Sequence, residues 1–257
     1  MKDRIAVISG ASSGIGRSVA CRLAEQGVRL VLNARTEEKL TEAAQEARSL
    51  AGADNIRTVC GDISQDQVTV SCIDECYKTW QRKPDIFIAS AGRGLPGTVV
   101  TSNPDEWDDL IDINIKGLMH QLRNIARTMM EQAASGFDFV SNPMDIVVIG
   151  STIGRNISPF NSVYGATKFA AHGLTEALRR QLGPLGIRVT LIEPGLVGTN
   201  FQRSAGYSET WFEEYSKEVG PILKPDDIAR VISFLLSLPG NINLDNISIR
   251  PTRQAYP

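Results

Sequence analysis

The 257-residue chain is 42% hydrophobic and 22% charged, the composition of an ordinary folded protein with ample core. Its formal net charge of −2 argues against nucleic acid or an anionic membrane as main partner. No apolar run approaches the about 20 residues needed to span a bilayer, and the opening MKDRIAVISG enters a strand at once, without a signal-peptide core. The four cysteines (Cys21, Cys60, Cys72 and Cys76) show no disulfide-rich spacing, so reduced thiols in a cytoplasmic protein are expected. Cys72 and Cys76 stand at i,i+4 but have no His or third Cys nearby in sequence, so they read as small buried residues and no metal is expected.

Arg4 to Ser9 is an apolar run bounded by charge and glycine, hence a first buried strand. It runs into Gly10-Ala11-Ser12-Ser13-Gly14-Ile15-Gly16 and a helix from Arg17 to Gln26. Strand, glycine turn and helix form the arrangement that sets a pyrophosphate on helix-terminal N–H groups, here spaced Gly-x3-Gly-x-Gly. Val28 to Ala34 is the second strand, followed by Arg35 and a helix over about 36–50. The tip of this strand is where such folds read the adenosine ribose, with an acid for a free 2′-hydroxyl or an arginine for a 2′-phosphate. Asn33-Ala34-Arg35 offers no acid, so the expected cofactor is NADP(H).

A third strand covers 56–60 and closes on Gly61-Asp62-Ile63-Ser64, with Ser64 placed to cap a helix reaching about Arg82. Asp85 to Ser90 is the fourth strand, ending in Ala91-Gly92. Asn103-Pro104-Asp105-Glu106 starts a long helical region to about Ala134, broken only by Gly117. The Met144 to Ile149 strand delivers Ser151 at its tip; Tyr164 and Lys168 follow at i,i+4 on a helix that runs to Gly183-Pro184. An ordinary tyrosine titrates near about 10, and a close, partly desolvated ammonium could lower that by about two or three. The phenol would then exchange a proton with a substrate oxygen that Ser151 holds. Such a Tyr–Lys pair is common on helices, where it usually means a packed ring and a solvated amine; a strand-end serine and a dinucleotide turn in the same chain favour the catalytic reading.

A sixth strand, 187–192, closes on Glu193-Pro194-Gly195. Residues 196–224 concentrate Phe201, Tyr207, Trp211, Phe212 and Tyr215 in an irregular segment, expected to be a mobile substrate lid. A helix from Pro225 to about Leu238 and a strand over 242–249 end the pattern. Strands and helices thus alternate as in a doubly wound, Rossmann-type α/β fold: a parallel seven-stranded sheet with helices on both faces, in one domain spanning 1–257. The expected walls of the substrate site are Arg93, Leu95, Arg155, Asn156, Phe201 and Trp211, which suit a medium-sized carbonyl compound with an apolar body. An inward-facing Arg93 or Arg155 would favour a carboxylate.

Together these residues resemble the short-chain dehydrogenase/reductases over essentially the whole chain. The family's Thr-Gly-x3-Gly-x-Gly turn matches Ser9, Gly10, Gly14, Ile15 and Gly16, with serine replacing threonine. Its catalytic Asn, Ser, Tyr and Lys match Asn114, Ser151, Tyr164 and Lys168. Its adenine-contacting Asp matches Asp62, beside Ile63, and its nicotinamide motif matches Pro194, Gly195, Val197 and Thr199. The family's Asn-Asn-Ala-Gly motif stands here as Ala89-Ser90-Ala91-Gly92, without both amides, and the connection between Asn114 and Ser151 is lengthened around 131–143. The resemblance implies hydride transfer between a nicotinamide and an aldehyde, ketone or 3-hydroxy acid. Tyr164 would supply the proton, Ser151 orient the oxygen, Lys168 depress the phenol pKa and grip the nicotinamide ribose, and Asn114 position a water. A homodimer or homotetramer paired through helices 104–134 and 161–183 is also implied. The alternatives are a catalytically silent dinucleotide sensor and a 3-oxoacyl-thioester reductase of the same family.

Overall fold

Strands that are predominantly apolar are stable only where both faces are covered, and the central strands here are of that kind, with a few buried polar side chains such as Asp145, Arg188 and Glu193 among them. The structure, a computed structural model, describes residues 1–156 and 158–256. Ile157 and Pro257, inside the expected domain, lie outside the described residues. The seven strands are β1 (Ile5–Ser9), β2 (Arg29–Ala34), β3 (Ile56–Cys60), β4 (Ile86–Ala89), β5 (Met144–Ile149), β6 (Ile187–Pro194) and β7 (Asn246–Ile249). They form one parallel sheet in the order β3-β2-β1-β4-β5-β6-β7. β1 and β6 are buried along their whole length, whereas the edge strands β3 and β7 alternate between covered and more exposed positions.

Two apolar layers flank the sheet. On one face Val19, Ala20 and Leu23 of α1 (Gly14–Glu25), Leu40 and Ala44 of α2 (Glu37–Ala51), and Ile228 and Ile232 of the helix Pro225–Ser237 pack on Ile8, Leu32 and Ile88. On the other, Cys72 and Cys76 of α3 (Asp66–Trp80), Leu122 and Met129 of the helix Leu118–Ala133, and Ala171 and Leu182 of the helix Ser162–Leu182 pack on Val7, Phe87 and Val148. Burial pushes the Cys72 thiol up to about 12, which fits its reading as an inert core residue.

Local chemistry explains where the elements differ from their sequence-based bounds. Ser64 does not cap α3: its own N–H donates to Asp62 Oδ1, and the helix starts two residues later at Asp66. The long helical region is four pieces, a 3-10 turn (Pro104–Glu106), α4 (Trp107–Ile111), a π-helical turn (Asp112–Gly117) and α5 (Leu118–Ala133). Gly117 closes that turn because a Cβ there would stand 3.0 Å from Ser64 Cα. The lengthened connection after α5 folds back so that Phe139 lies against Gly186 and Gly240. The aromatic segment is not irregular; it contains α7 (Phe201–Ser204) and α8 (Glu209–Val219), ahead of α9 (Pro225–Ser237). The intervening α6 is Ser162–Leu182.

A buried ion network closes the sheet at the end away from the glycine turn. Arg188 Nε donates to Asp145 Oδ1 at 2.7 Å and Arg4 Nη2 to Asp145 Oδ2 at 2.8 Å, while Arg4 Nε reaches Asp85 Oδ1 at 2.7 Å. The same guanidinium groups satisfy the carbonyls of Pro143, Leu238, Pro239 and Ile242. Removing one member of such a network strands buried charge. Asp145→Leu is therefore expected to destabilise the fold by about 3–5 kcal/mol, measured from the urea midpoint, although Asp145 lies far from the glycine turn.

Candidate active site

In a doubly wound sheet the loops after neighbouring strands part where the strand order reverses, and here that point lies between β1 and β4. The glycine turn fills it. Gly10 has φ +66°, and a Cβ on it would lie 2.9 Å from Ala91 Cα; a Cβ on Gly16 would collide with Gly10 O. Gly14 also lies in the left-handed region, at φ +53°. Serine at position 9 does more than replace a threonine: its hydroxyl accepts from Ser90 N–H and Ala91 N–H and donates to Gln121 Oε1 at 2.7 Å. Ser9 and the buried Gln121 thus brace the strand end where Ala89-Ser90 offer no amide side chains.

From this turn a cavity of about 1270 Å³ runs in two directions. Toward one end it is lined by Ser12, Ser13, Gly14, Ile15, Asp62, Ile63 and Arg35, and toward the other by Ala91, Gly92, Ser151, Tyr164, Lys168, Pro194, Gly195, Val197 and Thr199. Gly16 is absent from the lining because it seats the start of α1 against Gly10. A volume above the about 300–1,000 Å³ of a single small-ligand pocket leaves room for a dinucleotide and a substrate together. The cradle that Cβ atoms would fill, opening at the N-terminus of α1, fits a pyrophosphate. Asn33 is pinned by Nδ2 bonds to Val59 O and Gly61 O, while Arg35 and Lys39 both line the adenosine end and are exposed. Lys39 supplies a second cation where the turn itself, at Ser13, has none.

At the other end, Ser151 stands just past β5 with extended backbone. Its hydroxyl accepts from Ile153 N–H at 3.2 Å and lies beside the Tyr164 phenol, whose pKa it pulls down. Lys168 Nζ lies 5.8 Å from the Tyr164 ring centroid and donates to Ile149 O at 3.0 Å. The expectation of a depressed phenol pKa is corrected here: burial among Leu95, Leu110 and their neighbours pushes Tyr164 up, outweighing Ser151. Burial lowers Lys168 to about 8. Asn114 is set in the π-turn, where Nδ2 donates to Arg93 O and Thr167 Oγ1 and Oδ1 accepts from Arg93 N–H, which leaves one acceptor position on Oδ1. Thr167 in turn donates to Tyr164 O, so Asn114 ties the π-turn to α6.

Of the six expected walls, Arg93, Phe201 and Trp211 line the cavity and Leu95, Arg155 and Asn156 do not. Leu95 is packed beneath Tyr164 in the small cluster with Leu110. Arg155 is drawn off by the buried Glu193, 2.9 Å from its Nε, and Asn156 Nδ2 turns back to Thr152 O. Arg93 is itself held by Glu106 and Asp109. Tyr207 and Tyr215 of the expected lid also line the wall, and residues without a local sequence signal complete it: Phe160, Asn161, Gln254 and Tyr256. Among the described residues no group of three or more metal-ligating side chains occurs, and no helix is long and apolar enough to cross a membrane.

Residues 4–209 match the family model described as short chain dehydrogenase. The chain belongs to that family. An uncharacterised oxidoreductase of Staphylococcus aureus is 32% identical over 254 residues, 98% of each chain. Among solved structures, a 3-ketoacyl-(acyl-carrier-protein) reductase from Brucella melitensis complexed with NADH is 26% identical with a TM-score of 0.85, covering 98% of both chains. A closed serine dehydrogenase complexed with NADP+ is 27% identical with a TM-score of 0.85, covering 98% of this chain and 96% of that one.

Behind the Ser151 of this short-chain dehydrogenase sits His172, which sequence spacing does not mark. Its ring wedges between Gly150 and Gly154, where a Cβ on either would collide with it, and Nε2 accepts from Ser151 N–H at 3.4 Å. Nδ1 faces Glu193 Oε1 at 3.9 Å. Burial lowers His172 to about 4, despite Glu193. Because the folded pKa is depressed, the unfolded chain takes up this proton first; the stabilisation is complete above about 6.5 and is lost as pH falls toward the folded value. Urea midpoints between pH 7 and 4 should therefore fall more steeply for the wild type than for His172→Gln, by up to about 3 kcal/mol in unfolding free energy. Parallel curves would show that the ring does not titrate this way.

Proposed function

We propose that the protein is an NADP(H)-dependent reductase that transfers a hydride to the carbonyl of an aldehyde or ketone with an apolar body. The observation that carries this reading is the placement of Ser151, Tyr164 and Lys168 on one wall of the cavity that begins at the glycine turn. Gly10, Ser12, Ser13, Gly14 and Ile15 would hold the pyrophosphate, Asp62 and Ile63 the adenine, and Ala91, Gly92, Pro194, Gly195, Val197 and Thr199 the nicotinamide half. When bound, the nicotinamide supplies the hydride. Ser151 orients the substrate oxygen by hydrogen bonding. Tyr164, kept protonated at neutral pH by its burial, donates its phenolic proton as that oxygen gains negative charge. Lys168, largely charged at neutral pH, stabilises the phenolate as it forms. Asn114 holds the π-turn against α6 so that these groups keep their spacing.

The wall opposite Tyr164 supports a neutral, apolar substrate. Phe201 tilts over the Tyr164 ring at 5.8 Å, Trp211 and Tyr215 stack on one face of α8, and Tyr207, just before that helix, tilts against Trp211. Arg93 and Arg155 are already engaged by carboxylates, so neither supports recognition of a substrate carboxylate. Segment 196–224 acts as the lid. Met119 on α5 and Phe169 on α6 are exposed apolar groups suited to pairing of two copies across these helices. A silent dinucleotide sensor is the competing reading, and a panel of aldehydes, ketones and alcohols followed at the nicotinamide absorbance band separates the two.

Tyr164→Phe is expected to abolish turnover while leaving dinucleotide affinity nearly intact, since only the proton donor is removed. Lys168→Ala should impair both. Near-wild-type activity in Tyr164→Phe would refute the mechanism. Arg35→Ala is expected to raise the KM for NADPH about tenfold or more and leave that for NADH almost unchanged, because a charge-assisted contact contributes about 1.5–3 kcal/mol. Equal losses with both cofactors would mean that Arg35 supports the fold and does not read a phosphate.

A further inference from the structure

A segment without helix or strand stays ordered only where something ties it down, and after β7 a buried amide does so. Gln254 is 7% exposed between exposed neighbours, and its Oε1 accepts from Leu196 N–H at 2.9 Å. A Cβ on Gly195 would collide with that same oxygen, so glycine at the start of this loop is what lets the amide in. On its other side the loop is paired with the far end of the aromatic segment. Leu223 N–H donates to Leu196 O at 3.2 Å, Gly198 N–H donates to Leu223 O at 2.8 Å, and Val197 bridges Leu223.

The other end of the amide reaches α8. The Tyr215 hydroxyl donates to Tyr256 O at 2.5 Å, two residues beyond Gln254, and the Gln254 amide lies beside the same hydroxyl. Tyr215 stacks on Trp211 with centroids 5.4 Å apart. The short segment 254–256 therefore joins the loop after β6, through the Gln254 amide, to the aromatic face that walls the substrate side, through the Tyr256 carbonyl. A buried amide bonded to a buried backbone N–H is a rigid connector, and leaving that N–H unpaired is costly.

We infer that Gln254 is a positioning residue: it fixes the Gly195–Val197 loop on the nicotinamide side of the cavity, and with the Tyr256 carbonyl that holds Tyr215 of α8 it makes segment 254–256 part of the active site. This rests on the proposed dinucleotide site. The adenine end of the cavity lies on the other side of the glycine turn, so Gln254 should affect the two halves of a dinucleotide unequally.

The test measures dissociation constants by calorimetry for wild type, Gln254→Met, which keeps bulk but not the bonds, and Tyr215→Phe, which cuts only the tie to α8. The probes are NADPH and 2′,5′-ADP, or NADH and ADP should the wild type bind NADH tighter. Gln254→Met is expected to weaken the whole dinucleotide about three- to tenfold and leave the adenine-half fragment unchanged. Tyr215→Phe should leave dinucleotide affinity unchanged and raise the KM of a ketone substrate more than it lowers kcat. Equal weakening of dinucleotide and fragment by Gln254→Met, or no weakening of either, overturns the inference. A wild type that binds the dinucleotide but reduces no carbonyl overturns the proposed activity and leaves the binding comparison to decide on Gln254.

Discussion

The site depends on how closely three stretches of backbone approach one another at the crevice between β1 and β4. Gly10 lies against Ala91, and Gly16 lies against the Gly10 carbonyl, so no side chain can intervene at either place. The parallel register that pairs Ser9 with Ala89 sets this approach, and the Ser9 hydroxyl secures it by accepting two N–H groups of the neighbouring strand end. With the turn drawn in, α1 begins at the floor of the cavity and its N–H groups face the space a pyrophosphate would take. The same crevice opens toward Ser151 two strands away, because β4 and β5 run parallel and end together.

Electrostatics at the reactive end follow from burial more than from pairing. Tyr164 and Lys168 share a helix face, yet both are desolvated, and desolvation disfavours the charged form of each. A neutral phenol beside a weakly held ammonium is suited to giving a proton away. The two arginines expected at the substrate wall are engaged with carboxylates: Arg93 with Glu106 and Asp109, Arg155 with Glu193. What remains facing the Tyr164 hydroxyl is largely aromatic.

The polar groups behind the site form chains that reach across the sequence. His172 backs Ser151 and faces Glu193 of β6; Asn114 and Thr167 join the π-turn to α6; Gln254 joins the last residues to the loop after β6. Each chain fixes backbone, not a reacting atom. The π-turn itself is a local departure from α-helical winding at the position that carries Asn114, and such departures are common where a helix must present a functional group.

The features legible in the amino-acid sequence are those that depend on neighbours within one element. The apolar runs of β1 and β5 specify buried strands, the Gly10–Gly16 spacing specifies a turn into α1, and Tyr164 and Lys168 must share a face because four residues make about one helical turn. Arg35 follows from its place at a strand tip. Tertiary structure alone decided which groups meet across the sheet. Lys39, Gln121, His172 and Gln254 acquire their roles from partners far away in sequence, and no local pattern marks them. It also decided the direction of the Tyr164 shift and the withdrawal of Arg155 and Leu95 from the cavity, because burial and competition between partners are properties of the packed molecule. Spacing along one helix settles which residues can be near one another; the surroundings settle which of them are charged, paired or free to react.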